Sequence, residues 1–342
     1  MQTRPRRFAW LAFPLTFGFA VWLSAVVATR GAEPTANPKA NLAQTASAGA
    51  PAQTQAAEKF ELRDGDRVVL IGSTLIERDQ SYGYLETALT SRFYDCNVVF
   101  RNLGWSGDTV WGDAWAMFGT PADGFRDRLK NVVGMKPTVI FAGFGANESF
   151  AGQAGLPHFL DGLNTLLDAL AKTGARIVMF SPTREEDLGR PLPDPAEQNR
   201  RLAMYTDAMK QVAQRRGYRF VDLFSSLIPE TKPPGYLRLT DDEMHLTERG
   251  YRRLAEVVDA ELCGPPRSGA SLHADELEAL RLQINQKNQI AFHRWRPENF
   301  TYLYLFRAHE QPGTAAETPN FEPLVTKAEE QIAKMRVAQK TR

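Results

Sequence analysis

Short β-branched runs alternate with longer stretches of helical spacing through the middle of this 342-residue chain, and that alternation restricts the fold more than any single motif. Arg67 to Ile71, Asn97 to Arg101, Thr138 to Ala142, Arg176 to Ser181 and Tyr218 to Val221 read as strands. Tyr82 to Phe93, Phe125 to Val133, Leu156 to Lys172, Ala196 to Arg216 and Glu248 to Leu262 carry apolar residues at helical spacing, and Gly174 closes the third of these. A Pro- and acid-rich loop runs from Pro182 to Pro195. Strands joined by helices of this length form βαβ units, which imply a parallel sheet covered on both faces. The reading is one three-layer α/β/α domain over residues 59–264, and a 43% hydrophobic content is enough to fill its core.

Sheets of this kind place function in the loops at the carboxyl ends of their strands, where distant parts of the chain converge. Four motifs fall there. Ser73 and Thr74 follow the first strand, and Gly104-Trp105-Ser106-Gly107-Asp108 follows the second. Gly145-Ala146-Asn147 follows the third, while Asp242-Glu243-Met244-His245 precedes the last helix of the domain. Each motif alone is weak, because Gly-Ser-Thr after a strand also suits a turn and Asn among glycines tolerates left-handed backbone. Their order and topology together carry more.

Acyl transfer is the chemistry that unites them. A hydroxyl nucleophile, either Ser73 or Thr74, needs an imidazole base, and the base needs a carboxylate to hold its tautomer. His245 and Asp242, three residues apart, can supply both. A tetrahedral intermediate also needs donors aimed at its oxyanion, and the amide after the first strand, the Gly107 amide and the Asn147 side chain are candidates. Glycine at 107 would admit close approach of substrate to backbone. Asp108 and Glu148 suit helix capping equally well and are left outside the chemistry.

The four blocks resemble those of the SGNH hydrolase superfamily, also called the GDSL lipases and esterases, in which they carry Ser, Gly, Asn and His. The Asn102 to Thr109 and Asp242 to His245 stretches match the second and fifth blocks of that family, and the likeness runs from about Arg67 to Val258. It implies Gly107 and Asn147 as oxyanion-hole residues, His245 as base and Asp242 as its orienting acid. It also implies a flavodoxin-like sheet of about five parallel strands and ester hydrolysis without metal or cofactor, often on acetyl esters of carbohydrates. The first block departs from the Gly-Asp-Ser of the family. Here it reads Gly72, Ser73, Thr74, so the nucleophile position falls on Thr74 and Ser73 takes the place of the Asp. The β-methyl of Thr restricts χ1 and crowds an acyl carbonyl, a cost that the pocket would have to accommodate.

Outside this domain the N-terminus has its own signature. Arg4, Arg6 and Arg7 precede an apolar stretch from Phe8 to Ala28, and Val26-Val27-Ala28 offers small residues at the position a signal peptidase would cut. A stretch of about 20 residues also suits an uncleaved membrane anchor. Residues 1–28 are thus a signal peptide or anchor, and residues 29–58 a linker too poor in apolar periodicity to fold. The expected location is periplasmic or extracellular, with membrane contact only if the segment is retained. A net charge of +1 gives no field to draw nucleic acid. Cys96 and Cys263 are the two cysteines, either one bridge or two separate thiols, and the five scattered His make no metal-ligand cluster.

Residues 265–342 read as a helical extension. A helix from about Ala274 to Ala291 leads into the aromatic and Arg-rich run Phe292-His293-Arg294-Trp295-Arg296, and an amphipathic helix starts at Phe321. This extension either folds back to line a pocket or covers an exposed face of the domain. Two functions stay open for the whole. One is an exported esterase of small acyl esters, such as O-acetyl groups on carbohydrates; the other is a catalytically degenerate relative that binds a glycan or acylated ligand. A long-chain lipase would need an apolar channel in addition.

Overall fold

A computed structural model describes residues 59–228, 237–265 and 272–340; the expected export segment and linker, residues 1–58, lie outside the described residues. Five parallel strands form one sheet in the order β2-β1-β3-β4-β5: β1 (Arg67–Gly72), β2 (Val99–Asn102), β3 (Val139–Gly143), β4 (Arg176–Phe180) and β5 (Arg219–Val221). Their helices, in chain order, are α1 (Thr74–Tyr82), α2 (Tyr84–Arg92), α3 (Pro121–Gly134), α4 (Gly152–Ala171), α5 (Ala196–Arg216), α6 (Leu223–Ser226) and α7 (Glu248–Cys263). The extension adds α8 (Ala274–Trp295), α9 (Phe300–Tyr304) and α10 (Phe321–Lys340).

The central strands are unbroken apolar runs because both of their faces are covered. Val68, Leu70, Phe141, Val178 and Phe180 point into one core, closed by Leu85 and Leu89 of α2 and Leu254 and Val258 of α7. Val69, Ile71, Ile140, Ile177 and Met179 point into the other, closed by Val132 of α3, Leu163 and Leu167 of α4 and Met209 and Val212 of α5. This is the three-layer arrangement, with the flavodoxin-like strand order. Register then sets the site: Gly72 lies opposite Gly143, and Gly143 opposite Phe180, so three strands end in one row. Chain order reverses between β1 and β3, which opens a crevice above that row. Gly72 must be glycine, since a Cβ there would run into the Gly143 carbonyl oxygen.

One helix departs from the sequence reading. The helix expected over Tyr82 to Phe93 is α2, and a further helix precedes it: α1 starts directly at Thr74 and ends at Gly83, which takes a left-handed conformation (φ 69°). Only Ile76 and Asp79 of α1 are buried, so its apolar periodicity is too sparse to read.

The extension packs on the outer edge of the sheet. Lys287 of α8 is buried and donates to both carboxylate oxygens of Glu86 at 2.7 Å and to the Phe100 carbonyl of edge strand β2 at 3.1 Å. Arg101 of β2 pairs with Glu322 and Glu329 of α10, and α10 packs along α8 through Leu280, Ile284 and Ile332. The β2 edge is thereby covered. Cys96 and Cys263 are not bridged to each other, and burial pushes the Cys263 thiol up to about 12.

Candidate active site

Ser73 ends β1 and opens α1. Its amide donates to the Gly143 carbonyl at 3.2 Å, while its own carbonyl accepts the first helical amides, Ile76 at 3.0 Å and Glu77 at 3.1 Å. The side chain does not cap the helix. Instead the Ser73 hydroxyl, in a residue only 6% exposed, accepts the Asn147 side-chain amide at 2.7 Å. Thr74 is the first residue of α1 and half-buried. Among the described residues neither its amide nor its hydroxyl has a hydrogen-bond partner, as the first amides of a helix lack an intrahelical acceptor.

The loop after β2 is built against this corner. Leu103 donates to the Leu70 carbonyl at 2.8 Å and Trp105 to the Gly72 carbonyl at 2.9 Å, extending the sheet past the strand end. The Ser106 amide donates to the Glu77 carboxylate at 2.7 Å. Asp108 donates back to the Trp105 carbonyl at 2.9 Å, which closes a turn with Gly107 at φ 80°. A left-handed φ leaves the exposed Gly107 amide without a partner among the described residues.

Asn147, on the loop after β3, donates its second amide hydrogen to the Asp108 carbonyl at 2.8 Å, so it spans both neighbouring loops. Glu148 beside it accepts from Val110 at 2.8 Å and Gly145 at 2.9 Å. Burial pushes its carboxyl above the ordinary range against those bonds. Asp108 and Arg128 of α3 form an ion pair at 2.8 Å with both side chains wholly buried, and the guanidinium also serves the Thr109 and Val110 carbonyls at 2.6 Å. Here too burial raises the Asp108 carboxyl, with Arg128 opposing. Neither acid is the N-cap of a helix: Asp108 and Glu148 bracket the two loops against each other.

The fourth motif lies on a tight loop closed by the antiparallel bridge between Thr240 and Leu246. Asp242 accepts the His245 amide at 2.9 Å and the ring Nδ1 at 2.7 Å, so the carboxylate both shapes the loop and fixes the imidazole. Burial works to raise the Asp242 carboxyl, but the His245 hydrogen bonds outweigh it and hold the group below its usual range. Behind the loop, the buried Glu186 accepts from the Leu239 amide at 3.0 Å, the Thr240 amide at 2.8 Å and the Thr240 hydroxyl at 2.7 Å. Glu243 sits at φ 76°, and its carbonyl accepts the Glu186 amide at 2.9 Å.

Ser73, Thr74, Asn147 and His245 line a single pocket of about 80 Å³ in the crevice between β1 and β3, floored by Gly143 and walled by Tyr251. Asp242 stands behind His245, while Gly107, on the loop held by Asn147, is not among the residues that line the pocket. The arrangement brings two hydroxyls, a carboxylate-oriented imidazole and the Asn147 side-chain amide to one pocket. The brackets formed by Arg128, Glu186 and Glu77 escaped the sequence reading. Only Arg128 left a trace, as a charged residue at a core-facing helical position between Phe125 and Val132.

The sequence matches the profile of the GDSL-like Lipase/Acylhydrolase family over residues 65–253. No curated protein sequence matches the chain. Among solved structures it is similar to BT4096, a gut microbial diltiazem-metabolizing enzyme, with a TM-score of 0.57 at 11% identity over 84% of this chain and 97% of that one. It is also similar to the acetylxylan esterase Axe2 from Geobacillus stearothermophilus, with a TM-score of 0.48 at 18% identity over 61% of this chain and 100% of that one. LAE5, an alpha/beta hydrolase enzyme from the metagenome of Lake Arreo, Spain, has a TM-score of 0.47 at 20% identity over 60% of this chain and 98% of that one. At 11% identity the likeness to BT4096 shows a shared fold alone.

Proposed function

The chain belongs to the GDSL-like lipase/acylhydrolase family, and from that membership we propose an exported esterase that removes small acyl groups, acetyl esters of carbohydrates above all, with Thr74 as nucleophile. The observation that carries the reading is the shared pocket: His245, oriented by Asp242 at 2.7 Å, faces the same small space as the Thr74 hydroxyl and the Asn147 amide. Thr74 is preferred to Ser73 because its hydroxyl and amide are unengaged among the described residues, whereas the Ser73 hydroxyl is buried and held by Asn147. Export is read from Arg4, Arg6 and Arg7 ahead of the apolar stretch from Phe8 to Ala28.

The reaction follows from those positions. His245 Nε2 takes the proton of the Thr74 hydroxyl as its oxygen attacks the ester carbonyl. Negative charge develops on the carbonyl oxygen, where the Thr74 amide at the start of α1, the Gly107 amide and the Asn147 amide can meet it. Asp242 stabilises the imidazolium formed meanwhile. The imidazolium returns its proton to the departing alcohol, leaving the acyl group on Thr74. Water, deprotonated by the same imidazole, then releases the acid and restores the hydroxyl. The small pocket favours short acyl groups.

Purified full-length protein assayed on p-nitrophenyl acetate and acetylated xylan, beside His245→Ala, tests this directly. Hydrolysis by the wild type should exceed that of the variant by at least about a hundredfold. Equal rates would leave the catalytically degenerate reading, which titration with xylo-oligosaccharides would then examine.

A further inference from the structure

The loop that carries Gly107 is held from outside the family domain. Glu77 of α1 accepts the Ser106 amide at 2.7 Å, and the same carboxylate oxygen is paired with the Arg296 guanidinium. Arg296 follows α8 in the C-terminal extension, well beyond the matched residues 65–253. Its guanidinium carbon lies 3.9 Å from the centre of the Trp105 ring, the residue before Ser106. Trp295 completes the clasp: it stacks on Trp115 at 5.1 Å and meets the edge of Trp105 at 5.9 Å. Arg296 and Glu77 are each mostly buried, with side chains 24% and 19% exposed.

We propose that Arg296 is a positioning residue of the oxyanion side of the site, acting through Glu77 and Trp105 on the turn that presents the Gly107 amide. The inference rests on the esterase reading above. A carboxylate at Glu77 holds the Ser106 amide only while it stays turned inward, and a half-buried carboxylate without a cation is drawn toward water. Arg296 supplies that cation, and its planar face clamps Trp105 at the same time, which an ammonium cannot do. Trp105 and Ser106 are the two residues before Gly107, so their placement sets where its amide points. The extension therefore completes the site rather than merely covering the sheet edge.

The test compares full-length wild type with Arg296→Ala, Arg296→Lys and Arg307→Ala on p-nitrophenyl acetate, and follows amide hydrogen exchange across residues 103–109. Arg307, in the same extension, stacks on Tyr302 and serves as the control, with kcat unchanged. Arg296→Ala should lower kcat about 10- to 100-fold with KM altered no more than about twofold, since ground-state binding does not use the oxyanion donors. Millimolar guanidinium should restore part of that loss, Arg296→Lys should recover little of it, and the Ser106 and Gly107 amides should exchange faster. Wild-type kcat in Arg296→Ala overturns the proposal, as does a loss that guanidinium leaves untouched with exchange unchanged. Should wild type prove no faster than His245→Ala, the esterase reading itself has failed. Exchange then decides for Arg296 alone: acceleration supports its hold on the loop, and no change overturns it.

Discussion

The Asn147 side-chain amide bridges the Ser73 hydroxyl at 2.7 Å and the Asp108 carbonyl at 2.8 Å, which engages both of its hydrogens. An oxyanion in the pocket must draw one of them away, and the Ser73 bond faces the pocket. Ser73→Ala removes the competitor and leaves Thr74 in place. Its kcat on p-nitrophenyl acetate should stay within about threefold of wild type, while Thr74→Ala should lose roughly a hundredfold or more. The opposite order would move the nucleophile to Ser73. Thr74→Ser, which removes the methyl that limits χ1, should raise kcat.

Asp242 contacts His245 twice, through the backbone amide at 2.9 Å and through Nδ1 at 2.7 Å. Asp242→Asn can preserve the first contact by its remaining carbonyl oxygen but presents an amide or a neutral acceptor to Nδ1. The imidazole then loses both its tautomer and the charge that stabilises its protonated form. We expect kcat to fall on the order of 10²- to 10⁴-fold with a small change in KM. A fall of less than about threefold would mean that the pair shapes the loop only.

How much of this was legible in the sequence depended on whether each part repeats or stands alone. Strands β1, β3 and β4 could be read because burial on both faces makes them continuous apolar runs. The four loop motifs could be read because their glycines and Asn147 follow strand ends and His245 directly precedes the last helix of the domain. Helix α1 could not, since Glu77, Arg78 and Gln80 leave Ile76 as its one buried apolar residue. Glu77 and Arg296 meet from 219 positions apart, and a lone polar pair at that separation leaves no periodic trace. The bond between the Ser73 hydroxyl and the Asn147 amide likewise joins residues 74 positions apart and left no mark in the sequence.

Asp79 of α1 is wholly enclosed, and one of its carboxylate oxygens has no partner. Burial, with nearby Glu86 adding to it, pushes this carboxyl up to about 7 from 3.8. A raised folded value means that the folded protein keeps a proton the unfolded chain has lost between those limits, so stability falls as pH rises through that window. A rise from 3.8 to about 7 corresponds to on the order of 4 kcal/mol. Asp79→Asn cannot ionise and should gain on wild type by that order between pH 4 and pH 8, read from urea unfolding at each pH. A difference between the two proteins that does not vary with pH would show that Asp79 does not titrate in the window.

Lys287 and Glu86 make the deepest contact between the extension and the α/β domain. The lysine side chain is 0% exposed and the carboxylate 9%. Burial drives the two groups toward neutrality, lowering Lys287 and raising Glu86, while each opposes the shift in the other. Removing one partner strands the other, so Lys287→Met should cost about 3–5 kcal/mol, with the added loss of the bond to the Phe100 carbonyl on edge strand β2. Removing both is a different matter, because two apolar side chains of similar volume need no pairing. The double variant Glu86→Leu with Lys287→Met should regain most of the loss, and a double-mutant cycle by chemical denaturation isolates the coupling. Single losses that simply add would show that the pair is not a unit. A strong coupling would instead tie the docking of α8, and with it the placement of Arg296, to one buried charge pair beneath the sheet edge.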